Sequence, residues 1–379
     1  MASRRLTLMC AVGVALVLVA DGALVAVRAG RSSMSPRAPT AFDAVVAELR
    51  GFVERERGLA FVRPVPVELQ SDDDFVATLR RLERRQRGDA DTARLINVVR
   101  ALGLIDGPFD ASVLDAGAEE GVLGVYDPGR RRLYVRGDAP TPAVRRVLVH
   151  ELTHALDDQH FGLERPDLER REDEAALGFA ALVEGDAVRV EERYFESLSP
   201  EDRRAAAVEA DAIGSFDPDL PRVFEVLSAF PYDAGAALVA ALAGAGGPDR
   251  VNAAFANPPT TSEQVLHPER FLGEEPGKEV AAPVADGREV DRGQLGELGF
   301  RLLLQEGLDR GAAARGADGW GSDRFVAWAN GEQTCVRDQV VMDTPADRDE
   351  LVEGLRAWAA RNPGAAVEGA DPVRLTRCA

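Results

Sequence analysis

The chain has 379 residues, 45% of them hydrophobic and 29% charged, a composition that excludes fibrous and wholly disordered classes and leaves room for a large core or two modest domains. A net charge of −19 repels phosphate backbones and anionic lipid, so nucleic acid is not expected as a partner.

The first 40 residues differ from the rest. Arg4 and Arg5 precede a mostly apolar run from Leu6 to Val27, interrupted by Asp21, with Arg28, Arg31 and Arg37 beyond it. A basic start followed by a long apolar stretch predicts an export signal, and the run is also long enough to span a bilayer. The chain is therefore expected outside the cytosol, secreted or anchored, and in contact with a membrane only through this segment. Small residues at Val27 and Ala29 permit cleavage there. Cys10 invites lipid attachment, but Met9 is a poor neighbour and most of the apolar run follows the cysteine. Cys335 and Cys378 remain, and two cysteines in an exported domain predict a disulfide.

Apolar spacing predicts helices over 41–57, about 73–86 and about 92–104, with the extended, Pro-marked FVRPVPVELQ between the first two. Residues 122–127 and 131–137 flank Pro128-Gly129 and read as a β-hairpin. A helix then runs from Pro142 through VRRVLVHELTHALDDQHF, and another covers about 172–198. Further helices are expected near 201–213, 221–229, 232–245 and 293–315, with 273–292 as a Gly/Pro-rich linker. In the tail, 325–330, 334–343 and 373–378 read as strands and 346–361 as a helix, a small α+β subdomain stapled by Cys335 and Cys378. The fold class is α+β, predominantly helical.

His150-Glu151-Leu152-Thr153-His154 is the central motif. Histidines four apart on a helix share a face and can converge on one ion, and Glu151 beside them can act as general base toward a metal-activated water. A catalytic Zn2+ usually takes three protein ligands and keeps one position open. Two residues compete for the third place. Glu184 lies on the next helix, where Ala180, Ala181, Gly185 and Ala187 permit close helix approach. His160 completes the metzincin spacing, but Asp157 occupies the position where a glycine would turn the chain out of the helix. If the helix continues, His160 points about 80° away from His150. Glu184 is preferred, and a metzincin-like peptidase using His160 is the alternative.

The HExxH helix followed by Glu184-Gly185-Asp186-Ala187 resembles the gluzincin group of zinc metallopeptidases. Pro231-Tyr232-Asp233-Ala234-Gly235, residues 258–268 and Gly319-Trp320-Gly321-Ser322-Asp323 are similar to a family of uncharacterised bacterial exported peptidase-like proteins. The resemblance spans roughly 120–345. It implies a zincin-like core at 121–272, preceded by a helical region at 41–120 and followed by a helix and the tail subdomain at 293–379. It further implies hydrolysis of a peptide or protein substrate, with strand 131–137 as a sheet edge that pairs with it. Many gluzincins carry an Asp four residues after the ligand Glu; here that position is Val188, leaving Asp186 or Glu191 to support a ligand histidine. Tyr232 and His267 are the candidates for oxyanion donor, while Trp320 and Asp323 read as packing and turn residues. A second alternative is an exported binding module on a degenerate peptidase fold; the intact Glu151 argues against it.

Overall fold

The computed structural model describes residues 41–379, apart from 87–88, 108, 112, 115–121, 214–219 and 276. The expected export segment and Cys10 lie outside the described residues. The fold is α+β and predominantly helical.

The chain begins with helix α1 (Ala41–Arg57), strand β1 (Val67–Gln70) and helices α2 (Asp72–Gln86) and α3 (Asp89–Ala101). The expected hairpin follows as β2 (Gly124–Asp127) and β3 (Arg132–Arg136). Helix α4 (Pro142–Phe161) carries the HExxH motif. Thr141 caps it by accepting from Val144 N at 3.3 Å, Pro142 takes the first turn where its missing N–H costs nothing, and Gly162 ends it at φ 71°. A short α5 (Pro166–Glu169) leads to α6 (Ala175–Ser197), which carries Glu184, and then to α7 (Pro200–Ile213).

Residues 221–245, expected as two helices, belong to one long helix, α8 (Arg222–Ala256). Pro231 lies within it, and the helical path breaks only at Gly246 and Gly247. α8 is apolar and long enough to cross a bilayer, but it is packed against α6 in the main hydrophobic core. Short helices α9 (Ser262–Leu266) and α10 (Pro268–Leu272) follow.

The expected linker 273–292 and helix 293–315 need correction. Residues Arg288–Gly293 form strand β4, and the helical stretch divides into α11 (Gly296–Gln305) and α12 (Arg310–Ala317). The division falls where the chain passes the next helix: a Cβ on Gly307 would lie 2.7 Å from the Ala357 carbonyl carbon. That helix is α13 (Pro345–Arg361), which follows β5 (Trp320–Asn330) and β6 (Gln333–Met342) and precedes β7 (Ala366–Glu368) and β8 (Val373–Cys378).

Two sheets result. The C-terminal sheet is antiparallel, in the order β4-β5-β6-β8-β7. Cys335 and Cys378 stand opposite each other on β6 and β8 and form the expected disulfide. Thr334 and Ala379 exchange both backbone hydrogen bonds, so the cysteines occupy the adjacent non-hydrogen-bonded pair, where side chains approach most closely. The smaller sheet has the order β1-β3-β2, with β1 parallel to β3. β3 is therefore its central strand, not the edge expected of 131–137; the edge beside α4 is β2. The main core joins α3, α6 and α8 to the C-terminal sheet, and a second cluster packs α1 and the small sheet on the inner face of α4.

The C-terminal sheet encloses two carboxyls. Asp323 and Asp338 are fully buried on the neighbouring strands β5 and β6, close enough for each carboxyl to act on the other's charge. Asp323 also accepts from Leu295 N, Gly296 N and Trp320 Nε1 at 2.8–2.9 Å, which makes it the turn-holding and packing residue the sequence indicates. Those donors favour charge on Asp323. Burial, and then the neighbouring Asp323, push Asp338 well above the carboxylate range, so Asp338 holds the proton. A raised folded pKa contributes stability below the unfolded value that is lost as pH rises through the folded one. The melting temperature of the wild type should therefore fall as pH rises above the ordinary carboxylate range. Asp338→Asn, which carries no charge at any pH, should flatten that fall. Parallel pH profiles for the two proteins in thermal melts would contradict this assignment.

Candidate metal centre

The site forms where α4, α6 and α8 meet. Gly185 on α6 and Gly235 on α8 let the two backbones touch: a Cβ on Gly185 would lie 2.1 Å from Gly235 O, and one on Gly235 would lie 2.1 Å from Ala181 O. Glu184 is the neighbour of Gly185, and Tyr232 lies one turn before Gly235. The glycine crossing thus places the tyrosine over the carboxylate, and the Tyr232 hydroxyl hydrogen-bonds Glu184.

His150 and His154 present their rings from α4, with centroids 4.7 Å apart. His150 Nε2 is 3.1 Å and His154 Nε2 3.4 Å from Glu184 Oε2, and one ligand atom from each residue lies within 4.8 Å of the others. Glu184 is 1% exposed, and its Oε1 is buried without a hydrogen-bond partner. His150 Nδ1 faces Glu191 Oε2 at 3.0 Å, and Glu191 is held in turn by Arg146 at 2.6 Å. Of the two residues considered for supporting a ligand histidine, Glu191 therefore contacts His150. A proton on Nδ1, shared with Glu191, leaves Nε2 free to ligate.

The electrostatics fit a cation. Burial works against charge on Glu184, but His154 and His150 outweigh it and hold the carboxyl down at about 2. Burial also opposes charge on His150, yet Glu184 and Glu191 raise its pKa well above the ordinary value. Two ionised carboxylates thus gather positive charge at one buried point. Two imidazoles and one carboxylate, one oxygen of which has no partner, match a donor set that can hold a catalytic zinc.

Glu151 is buried beside the histidines, and its Oε2 accepts from Tyr126 N at 2.7 Å. Strand β2 can reach it because residue 124 is glycine: a Cβ there would lie 2.6 Å from Val147 Cγ1 and 3.3 Å from Glu151 Cγ. Burial raises the Glu151 pKa, against the opposing pull of His154 and His150. Burial and the carboxylates of Glu184 and Glu151 push Tyr232 well up, so its hydroxyl stays neutral and able to donate.

The other two sequence candidates fall elsewhere. α4 runs on through Phe161, so His160 leaves the ligand face; its Nε2 contacts Ala60 O at 2.8 Å on the surface, which removes the geometric basis of the metzincin alternative. His267 is placed with Glu297 and Asp318 in a second group, not with His150, His154 and Glu184. Arg301 lies 2.6 Å from Glu297 and 3.3 Å from His267 Nε2, so that group already contains a cation. Arg57 was not legible in the sequence as part of the site: its guanidinium is fully buried behind it, paired with Asp157 at 2.8 Å and Asp186 at 2.6 Å. Asp186, the other residue considered for histidine support, faces Arg57 instead. Burial pushes Asp157 up to about 7, against the pull of Arg57. A basic residue at a helix end normally signals solvent, and nothing in the local sequence pointed inward.

Residues 282–377 match the family described as a domain of unknown function (DUF8575), a span that runs from β4 into β8 and does not include His150, His154 or Glu184. No curated protein matches. A crystal structure from Chloroflexus aurantiacus, described as "a putative hydrolase with a novel fold", is similar over 63% of this chain and 92% of its own, at 14% identity and a TM-score of 0.35.

Proposed function

We propose that this chain is an exported zinc metallopeptidase of the gluzincin kind, with His150, His154 and Glu184 as ligands and Glu151 as general base. The observation that carries the reading is the convergence of three ligand atoms within 4.8 Å, beside a buried carboxylate that needs no place in a mere binding site. Zinc bound there supplies Lewis acidity, lowering the pKa of water and polarising a carbonyl.

The protein groups do the rest. Tyr126 N–H aims the Glu151 carboxylate, which accepts a proton as the water oxygen attacks the peptide carbonyl carbon. The same proton passes to the departing nitrogen as the C–N bond breaks. Tyr232 donates to the carbonyl oxygen as negative charge develops on it. Glu191 holds His150 with its proton on Nδ1, which orients the ring. The substrate is a peptide or protein chain. Extracytoplasmic placement is supported by the basic-apolar N-terminus and by the Cys335–Cys378 disulfide.

Glu151→Gln keeps the shape of the site but cannot accept a proton. It should retain about one zinc per chain by metal analysis and lose hydrolysis of a peptide library by about 10²-fold or more. Undiminished hydrolysis would remove Glu151 from the mechanism, and a wild type that takes up no zinc would remove the metal. Residues 1–40 fused to a reporter should carry it out of the cytosol; a reporter that stays inside overturns the assigned location.

A further inference from the structure

The Arg57 side chain is enclosed by three helices besides its own. Nη2 donates to Asp157 Oδ1 on α4 at 2.8 Å, Nε lies 2.6 Å from Asp186 Oδ2 on α6, and Nη1 donates to Asn252 Oδ1 on α8 at 2.9 Å. The Phe255 ring stands 5.9 Å from the guanidinium carbon. Arg57 itself is the last residue of α1, a helix fixed by Leu49 and Val53 in the apolar cluster with Leu148, Leu152 and Leu156 of α4.

The two carboxylates that it holds are close neighbours of proposed metal ligands. Asp157 lies three residues after His154 and so shares its side of α4. Asp186 lies two residues after Glu184. One guanidinium thus ties together the two helices that supply all three ligands. Only a planar fork can do this, since an ammonium offers a single point of charge.

A second observation concerns His154. Its Nδ1 is buried without a hydrogen-bond partner, and so is Asp157 Oδ2. The two side chains interact electrostatically, His154 acting to lower the Asp157 pKa. A ligand imidazole needs its distal N–H held by an acceptor. His150 has Glu191 for this; Asp157, anchored from behind by Arg57, presents a buried carboxylate oxygen without a partner on the His154 side of α4.

We propose that Arg57 is a positioning residue for the metal centre: it anchors Asp157 as the acceptor for His154 Nδ1–H and fixes α4 against α6, which makes helix α1 part of the site. The inference rests on the metallopeptidase reading and adds to it a residue from outside the motif-bearing helices.

The test is a zinc titration against a competing chelator, with metal-free thermal melts and the cobalt(II) absorption spectrum recorded on the same proteins. Asp157→Asn is close in shape. Arg57 takes its amide oxygen, which leaves an N–H facing His154. Arg57→Lys keeps the charge but loses the fork. Both variants should weaken zinc binding by about 10- to 100-fold and alter the cobalt spectrum, with Asp157→Asn melting close to the wild type when metal-free. If Arg57→Lys does not fold, Asp157→Asn carries the test alone. Zinc affinity within about twofold of wild type in folded variants, with only the metal-free melt lowered, would make the cluster a structural clamp and overturn the proposal. A wild type that binds no zinc overturns the metallopeptidase reading, and this inference with it. A wild type that binds zinc beside unaffected variants overturns this inference alone.

Discussion

A carboxylate that stays ionised out of reach of water is the constraint on which the rest of this structure turns. Glu184 is enclosed, and a lone buried charge is costly enough that such groups usually neutralise. Here His150 and His154 converge on it and hold its pKa down, with Tyr232 beside them. Each is delivered by a different device. The histidines come from successive turns of one capped helix, and the tyrosine comes from a second helix that can approach only because Gly185 and Gly235 lack side chains. Gly124 in turn admits strand β2 to the back of Glu151.

The charge is balanced in layers. Beyond His150, His154 and Glu184 stand Glu191 with Arg146 on one side and Asp157 and Asp186 with Arg57 on the other. Removing one partner from a fully buried pair such as Arg57–Asp157 typically costs about 3–5 kcal/mol, because the other charge is left uncompensated. The N-terminal helix is therefore joined to the chemistry by charge as well as by apolar packing.

Much of this was legible in the sequence, because it is written in local spacing. The i,i+4 histidines, the small residues around Glu184, the hairpin at Pro128-Gly129 and the Cys335–Cys378 pair all announce themselves within a few residues or by elimination. What was not legible depends on distant partners. β1 joins β3 as a parallel strand across more than 60 residues and turns the expected edge into a central strand. Pro231 sits inside a continuous helix, whereas Gly307 interrupts one where α13 passes close by. His267, attractive as a lone histidine in a polar loop, is taken up by Glu297 and Arg301.

The central claim is the identity of the three ligands, and anomalous diffraction at the zinc edge from zinc-loaded crystals tests it most directly. The account predicts one peak about 2.0–2.2 Å from Nε2 of His150, Nε2 of His154 and a carboxylate oxygen of Glu184. A peak that includes His160, a peak confined to His267, Glu297 and Asp318, or no peak at the α4–α6 crossing would contradict it.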